Sequence, residues 1–263
     1  MKIIHFVLVL ALAVFALEPA AAVAAEKTGI VLMHGKWGTT KSKSPVVVLG
    51  KALASKGYLI STPEMPWSES RLYDKDYEAT MAEIDKAVAG LKAKGATRII
   101  VGGHSMGANA AFGYAARHDG LFAVLALAPG HVPSEKGQKK DYGMYVATAK
   151  KMVSSGKGKT KEKFTDINQG KKKTLNIPAE VYLSWFDPDG PANMPNNVAS
   201  LKPGVALLWL TGDKDGFHKR GSKGFAFNKA PANPKSAYVV VSSGHGDAPK
   251  KGEKEIIKWL DGL

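Results

Sequence analysis

The chain of 263 residues is 44% hydrophobic and 23% charged, ordinary for a globular protein and enough for one large α/β domain, or two small ones, with a sizeable core. It has no cysteine, which excludes disulfides and thiolate metal sites and leaves the fold to its core alone. The 37 Lys and Arg against 23 Asp and Glu give +14, but the only arginines are Arg71, Arg98, Arg117 and Arg220. Phosphate and base readout lean on Arg, which argues against nucleic acid as a partner.

The chain opens on Met1-Lys2, an apolar run over residues 3–17, and the small residues Ala22-Val23-Ala24. This pattern describes a secretory signal peptide over residues 1–24, cleaved near Ala24, and the apolar run is shorter than the ~20 residues of a spanning helix. The expected product is exported, to the periplasm or the medium, as one domain over residues 25–263.

That domain begins on Gly29-Ile-Val-Leu-Met33, a β-type run ending at His34-Gly35, and residues 36–44 follow as a loop. Pro45 opens a helix that Gly57 stops. Residues 58–62 form the second strand, and the loop over 63–73 carries Met65, Trp67 and Tyr73. Met81, Ile84, Val88 and Leu91 recur at helical spacing within a helix over 76–94, closed by Gly95. A third strand from Arg98 to Gly102 runs into Gly103-His104-Ser105-Met106-Gly107, and an Ala-rich helix follows. A fourth strand covers 121–128.

There the alternation breaks. Residues 131–200 form the expected insertion, a candidate lid, with one helix over 142–153, a Gly/Lys/Ser stretch behind it, and Val181 to Phe186 as a strand or wall. The segment 136–173, opened by Lys136 and closed by Lys173, holds twelve lysines against Asp141, Glu162 and Asp166. It reads as a solvated loop able to attract anionic lipid, polysaccharide or an acidic substrate. The sheet resumes over 204–210, followed by Thr211-Gly-Asp-Lys-Asp-Gly216, and its last strand, 237–241, precedes Ser242-Ser-Gly-His-Gly-Asp247. Residues 250–260 close as an amphipathic helix with Ile256, Ile257 and Leu260 inward. Strands alternating with helices predict a parallel sheet covered on both faces.

Ligand sites in parallel sheets lie at the carboxyl ends of the strands. His34-Gly35, Ser105, Asp213 with Asp215, and His245 all follow such ends. The pentapeptide around Ser105 fits a strand-to-helix elbow, in which glycines two before and two after the serine relieve a strained turn and the helix N-terminus offers free N–H groups. A serine hydroxyl needs a base to take its proton, and a histidine base needs a buried carboxylate to fix its tautomer; Ser, Asp and His occur in that order. His104 reads as a hydrogen-bonded support, His34 as a loop-orienting residue, His131 and His218 as spare bases and His118 as a helix-end residue. The histidines show no metal-ligand spacing, and neither a metal nor another cofactor is expected. Trp37, Trp67 and Trp185, with Met65, Met106, Phe186 and Met194, are candidates for an apolar acyl-binding site.

Gly-His-Ser-Met-Gly, the early Met-His-Gly loop, Thr-Gly-Asp-Lys-Asp and the late Gly-His-Gly together resemble an α/β-hydrolase-fold serine hydrolase, of the esterase and lipase type. The resemblance implies a three-layer α/β fold in a compact, mainly parallel six-stranded form without the family's antiparallel first hairpin. It implies Ser105 as nucleophile, His245 as base and then acid, and Asp215 as their carboxylate, with Asp213 as the alternative. The oxyanion hole would use the backbone N–H groups of Met106 and Lys36, or Trp37 if the loop register differs. The implied function is hydrolysis of carboxylic esters through an acyl-enzyme. The competing reading is a non-catalytic envelope protein that holds an anionic partner on its Lys-rich insertion.

Overall fold

Successive residues of a strand face opposite sides, so a strand buried on both sides reads as an unbroken apolar run. The computed structural model, which describes residues 26–263, resolves the runs of this chain in that way; the leader expected over residues 1–24 lies outside the described residues. In chain order the elements are β1 (Thr28–Met33), α1 (Pro45–Ala54), β2 (Leu59–Ser61), α2 (Tyr77–Ala93), β3 (Arg98–His104), α3 (Met106–Arg117), β4 (Ala123–Leu127), α4 (Lys136–Ser154), β5 (Lys161–Asn168) and β6 (Lys171–Pro178). They continue with α5 (Ala179–Phe186), α6 (Met194–Ala199), β7 (Ala206–Gly212), α7 (Gly216–Lys219), α8 (Ser222–Phe225), β8 (Ala237–Val241), α9 (Ala248–Lys251) and α10 (Glu253–Asp261).

Six strands form one sheet in the order β2-β1-β3-β4-β7-β8, every pair parallel. The registers Val31↔Val101, Val101↔Val124 and Val124↔Leu207 line up one row across its centre. Val31, Val101, Val124, Leu207 and Trp209 face α2, α3 and the insertion. Their neighbours Ile30, Leu32, Ile100, Leu125 and Leu208 face α1 and α10. The six-stranded sheet with helices on both faces is therefore as expected, and the helical spacing in α2 buries Met81, Ile84, Val88 and Leu91 as read. In the last helix Ile256 and Leu260 are buried and Ile257 partly so, but the stretch splits at Gly252 into α9 and α10.

Between β4 and β7 the structure departs from the expectation. The helix starts earlier than expected, at Lys136, because the Glu135 side chain accepts from the N–H groups of Gly137 and Gln138 and caps it. The Gly/Lys/Ser stretch gives way to an antiparallel hairpin of β5 and β6, with Phe164 opposite Leu175 and a turn at Gln169-Gly170, both at positive φ. Phe164, Asp166, Leu175 and Ile177 form its buried face. Val181 to Phe186 is helical, part of α5, since Ala179, Tyr182 and Trp185 at i, i+3 spacing seat it on the core.

Asn109 of α3 ties both ends of this insertion to the sheet. Fully buried, it donates to the carbonyls of His131 (2.7 Å) and Ala192 (2.9 Å) and accepts from the Tyr77 hydroxyl (3.2 Å). Asn109→Ala strands two buried carbonyls, and chemical denaturation is expected to show a loss of about 2–4 kcal/mol.

Candidate active site

The Gly-x-Ser-x-Gly turn joins β3 directly to α3. Ser105 stands at φ 56°, ψ −112°, a sparsely populated conformation that costs on the order of 1–3 kcal/mol and persists only because its surroundings impose it. The glycines are dictated by the neighbouring strand. A Cβ on Gly103 or on Gly107 would collide with the carbonyl oxygen of Met33 at the end of β1.

The turn brings Ser105 to His245, in the loop after β8. The Ser105 hydroxyl donates to His245 Nε2 at 2.9 Å, and His245 Nδ1–H donates to Asp215 Oδ2 at 2.5 Å. Asp215 caps α7 with its other oxygen, accepting from the Phe217 N–H at 2.7 Å. Burial alone would raise the Asp215 carboxyl, but the hydrogen bond and charge of His245, with the N–H groups of Phe217 and His218, hold it below its ordinary range. Asp213 points elsewhere, accepting from the Ser243 N–H at 3.0 Å, so the structure joins Asp215 and not Asp213 to His245.

A second feature lies across from this chain. The Met106 N–H, at the start of α3, and the Lys36 N–H, in the loop after β1, have no acceptor among the described residues. A Cβ on Gly35 would sit 3.3 Å from the Ser105 Cβ, which places the Gly35–Lys36 peptide beside the serine. Two clefts meet at Ser105 and His245, one of about 570 Å³ and one of about 200 Å³. The larger is lined by Glu135, Gln138, Asp141, Asn168, Gln169, Lys214 and Arg220, with Ile167 and Phe217 as its apolar side chains.

The apolar acyl site expected from Trp37, Trp67 and Trp185 is not present. Trp67 and Trp185 are fully buried, edge to face at 5.6 Å, and donate to the carbonyls of His34 and Lys75. They are core packing beneath the site, as are Met65, Met106, Phe186 and Met194. Trp37 lines neither cleft; its indole N–H goes to Asp166 at 2.8 Å and Lys173 lies over its ring. Trp37, Met65 and Trp67 do lie in loops, and loops that fold back onto the sheet bury what they carry, whereas Met106, Trp185, Phe186 and Met194 belong to helices α3, α5 and α6.

The other histidines fall into place as supports. His34 Nε2 accepts from the Met65 N–H at 3.1 Å, which leaves Nδ1–H to donate to the Gly35 carbonyl at 2.9 Å and orient the loop. His104 Nε2–H donates to the carbonyl of His245 at 2.8 Å. His131 lines the larger cleft but gives Nε2–H to the Trp185 carbonyl, and His218 pairs with Tyr238. His118 stacks on Tyr114 at the end of α3. Among the described residues no cluster of His, Asp and Glu could hold a metal ion. The side chains that sequence reasoning missed are Asp166, Asn168 and Tyr142 of the insertion. The alternation of Phe164, Asp166, Leu175 and Ile177 around Asn-Gln-Gly was the available signal.

Burial, and next the charge of His245, push His104 down to about 4. A histidine held neutral in the fold but free to protonate when unfolded, near 6.5, stabilises fully above pH 6.5 and loses that contribution as pH falls toward 4. Denaturant midpoints are expected to fall between pH 7 and pH 4.5, and His104→Phe is expected to flatten part of that slope.

No protein-family model matches the chain, and no curated protein does. Solved structures do. The carboxyl esterase from Bacillus coagulans in complex with glycerol aligns with a TM-score of 0.62 at 14% identity, over 91% of this chain and 91% of that one. The siderophore hydrolase EstB from Aspergillus fumigatus aligns at 0.58 and 12%, over 91% and 92%. The thioesterase domain from the curacin biosynthetic pathway aligns at 0.56 and 16%, over 89% and 91%. At these identities, what is common to them and this chain is the fold.

Proposed function

We propose that this chain, which has the α/β-hydrolase fold, is an exported serine hydrolase that cleaves carboxylic esters through an acyl-enzyme. The single observation that carries the reading is the continuous hydrogen-bonded line Ser105–His245–Asp215, set beside two unused backbone N–H groups. In the proposed reaction His245 Nε2 takes the Ser105 proton as Oγ attacks the ester carbonyl. The oxygen that becomes negative is held by the N–H groups of Lys36 and Met106, each such donor contributing about 10²–10³ in rate. Asp215, ionised throughout, keeps His245 in the tautomer with Nδ1–H and stabilises its cation. His245 then returns the proton to the leaving alcohol, and water repeats the sequence on the acyl-enzyme.

The clefts narrow the substrate. Two clefts meeting at one serine suit the two halves of an ester, and the charged and amide side chains of the larger one suit a short or polar group there more than a long alkyl chain. Esterase, thioesterase and siderophore hydrolase structures of the same fold favour ester-type chemistry. The basic start, apolar run and Ala22-Val23-Ala24 site support export. Exposed lysines on the insertion, Lys161, Lys163, Lys171 and Lys172 among them, support attraction to an anionic envelope surface or substrate.

The test is reaction of residues 25–263 with a fluorophosphonate, read by intact mass, with turnover of p-nitrophenyl esters of rising acyl length. One adduct is expected on the wild type and none on Ser105→Ala. Turnover is expected to be greatest with acetate or butyrate and to drop about 10³-fold or more in the variant. An adduct that survives in Ser105→Ala, or no adduct on the wild type, would contradict the proposal.

A further inference from the structure

The insertion reaches the proposed site through one buried carboxylate. Asp166 of β5 is fully buried and holds four donors. Its Oδ1 accepts from Lys36 Nζ (2.5 Å) and its Oδ2 from Trp37 Nε1 (2.8 Å) and the Tyr73 hydroxyl (2.9 Å), while the Tyr142 hydroxyl shares its proton between Oδ1 (3.3 Å) and the Ile167 carbonyl (3.1 Å). Burial, and next the charge of Asp166, push the Tyr73 and Tyr142 hydroxyls up, so both remain donors. Two residues on, Asn168 Nδ2 donates to the Lys36 carbonyl at 3.1 Å, and Lys36 Nζ also donates to the Ile167 carbonyl at 3.1 Å. Lys36 is thus gripped at its side chain and its carbonyl by three consecutive residues of the hairpin, while its N–H has no acceptor among the described residues.

The grip matters because the loop is strained. Trp37 has φ 55°, the left-handed region that a bulky residue adopts only when its surroundings force it. Its N–H donates to the Trp67 carbonyl at 2.9 Å and its indole to Asp166, and these hold the conformation. Without Asp166 the Lys36 ammonium would lack a counter-charge in a nearly dry site, and the loop would turn to bring it to water. The Lys36 N–H would turn with it.

We infer that Asp166, with Asn168, is a positioning residue of the proposed hydrolysis: the hairpin of the insertion sets the Lys36 N–H where the oxyanion forms. The inference rests on the reading of Ser105 as nucleophile and of Lys36 as an oxyanion donor. It assigns the hairpin a catalytic consequence that does not depend on its covering the site.

The experiment compares wild type, Asp166→Asn, Asn168→Ala and Thr174→Ala, an exposed hairpin position without contact to Lys36, each checked by thermal unfolding. Wild-type labelling by the fluorophosphonate is measured first. Asp166→Asn is expected to lower kcat on p-nitrophenyl acetate about 10–100-fold and Asn168→Ala about 3–10-fold, fractions of the loss of a whole donor. KM should change less than threefold and the acid limb of kcat/KM should stay in place, because Ser105, His245 and Asp215 are untouched. Phosphonylation should slow in parallel, and Thr174→Ala should match the wild type. Should Asp166→Asn not fold, Asn168→Ala alone decides. A labelled wild type with kcat within twofold in the folded variants, or a loss lying wholly in KM, overturns this inference and leaves the proposed function standing. An unlabelled wild type removes both.

Discussion

The buried ion pair of Lys36 and Asp166 is the constraint on which the two halves of the molecule meet. Lys36 belongs to the loop after β1, whose backbone lies beside Ser105, and Asp166 to the hairpin inserted between β4 and β7. Neither charge is exposed, and each is costly to bury alone, so the pair specifies one relation between loop and hairpin more than it adds stability. Tyr73, Tyr142 and Trp37 complete the carboxylate's partners, drawing in the loop after β2 and helix α4. A network so fully satisfied has a single low-energy arrangement.

Ser105 and Trp37 are strained, and each conformation is imposed by something rigid. Ser105 is set by the approach of β1 to the elbow, where Met33 leaves no room for a Cβ on either flanking glycine. Trp37 is set by Asp166 and by the Trp67 carbonyl. The sheet fixes Ser105 while the insertion fixes the loop opposite it. His104, by donating to the His245 carbonyl, supports the third corner. The aromatic cluster of Trp67, Tyr73, Tyr77 and Trp185 lies beneath as a stiff floor.

The parallel sheet was legible because each central strand is a short apolar run bounded by glycine or proline, and because the elbow, Asp215 and His245 all fall just beyond strand ends. Those signals are local and their physics is local. The choice between Asp213 and Asp215 was not, since it turns on which carboxylate caps α7 while facing a loop 30 residues away. The hairpin was hidden by composition. Its exposed faces carry the lysines, the turn is Gln-Gly in place of the commoner Asn-Gly, and the buried face includes an aspartate that a hydrophobic pattern does not count. The tryptophans misled for the converse reason: a place in the segments between strands says nothing about whether a side chain points out or folds under, and Trp185 is buried on a helix.

The polar lining of the cleft changes what such a site is expected to handle. Charged and amide groups contributed by the insertion and by the loop after β7 line the same cleft as Ser105, remote in sequence from the elbow. The most direct measurement is a crystal structure of the protein after reaction with a small fluorophosphonate. The phosphorus is expected on Ser105 Oγ, with its free oxygen about 2.7–3.1 Å from the backbone nitrogens of both Lys36 and Met106. Phosphorus on another residue, or an oxygen turned away from the Lys36 nitrogen, would contradict the shared role of elbow, loop and hairpin.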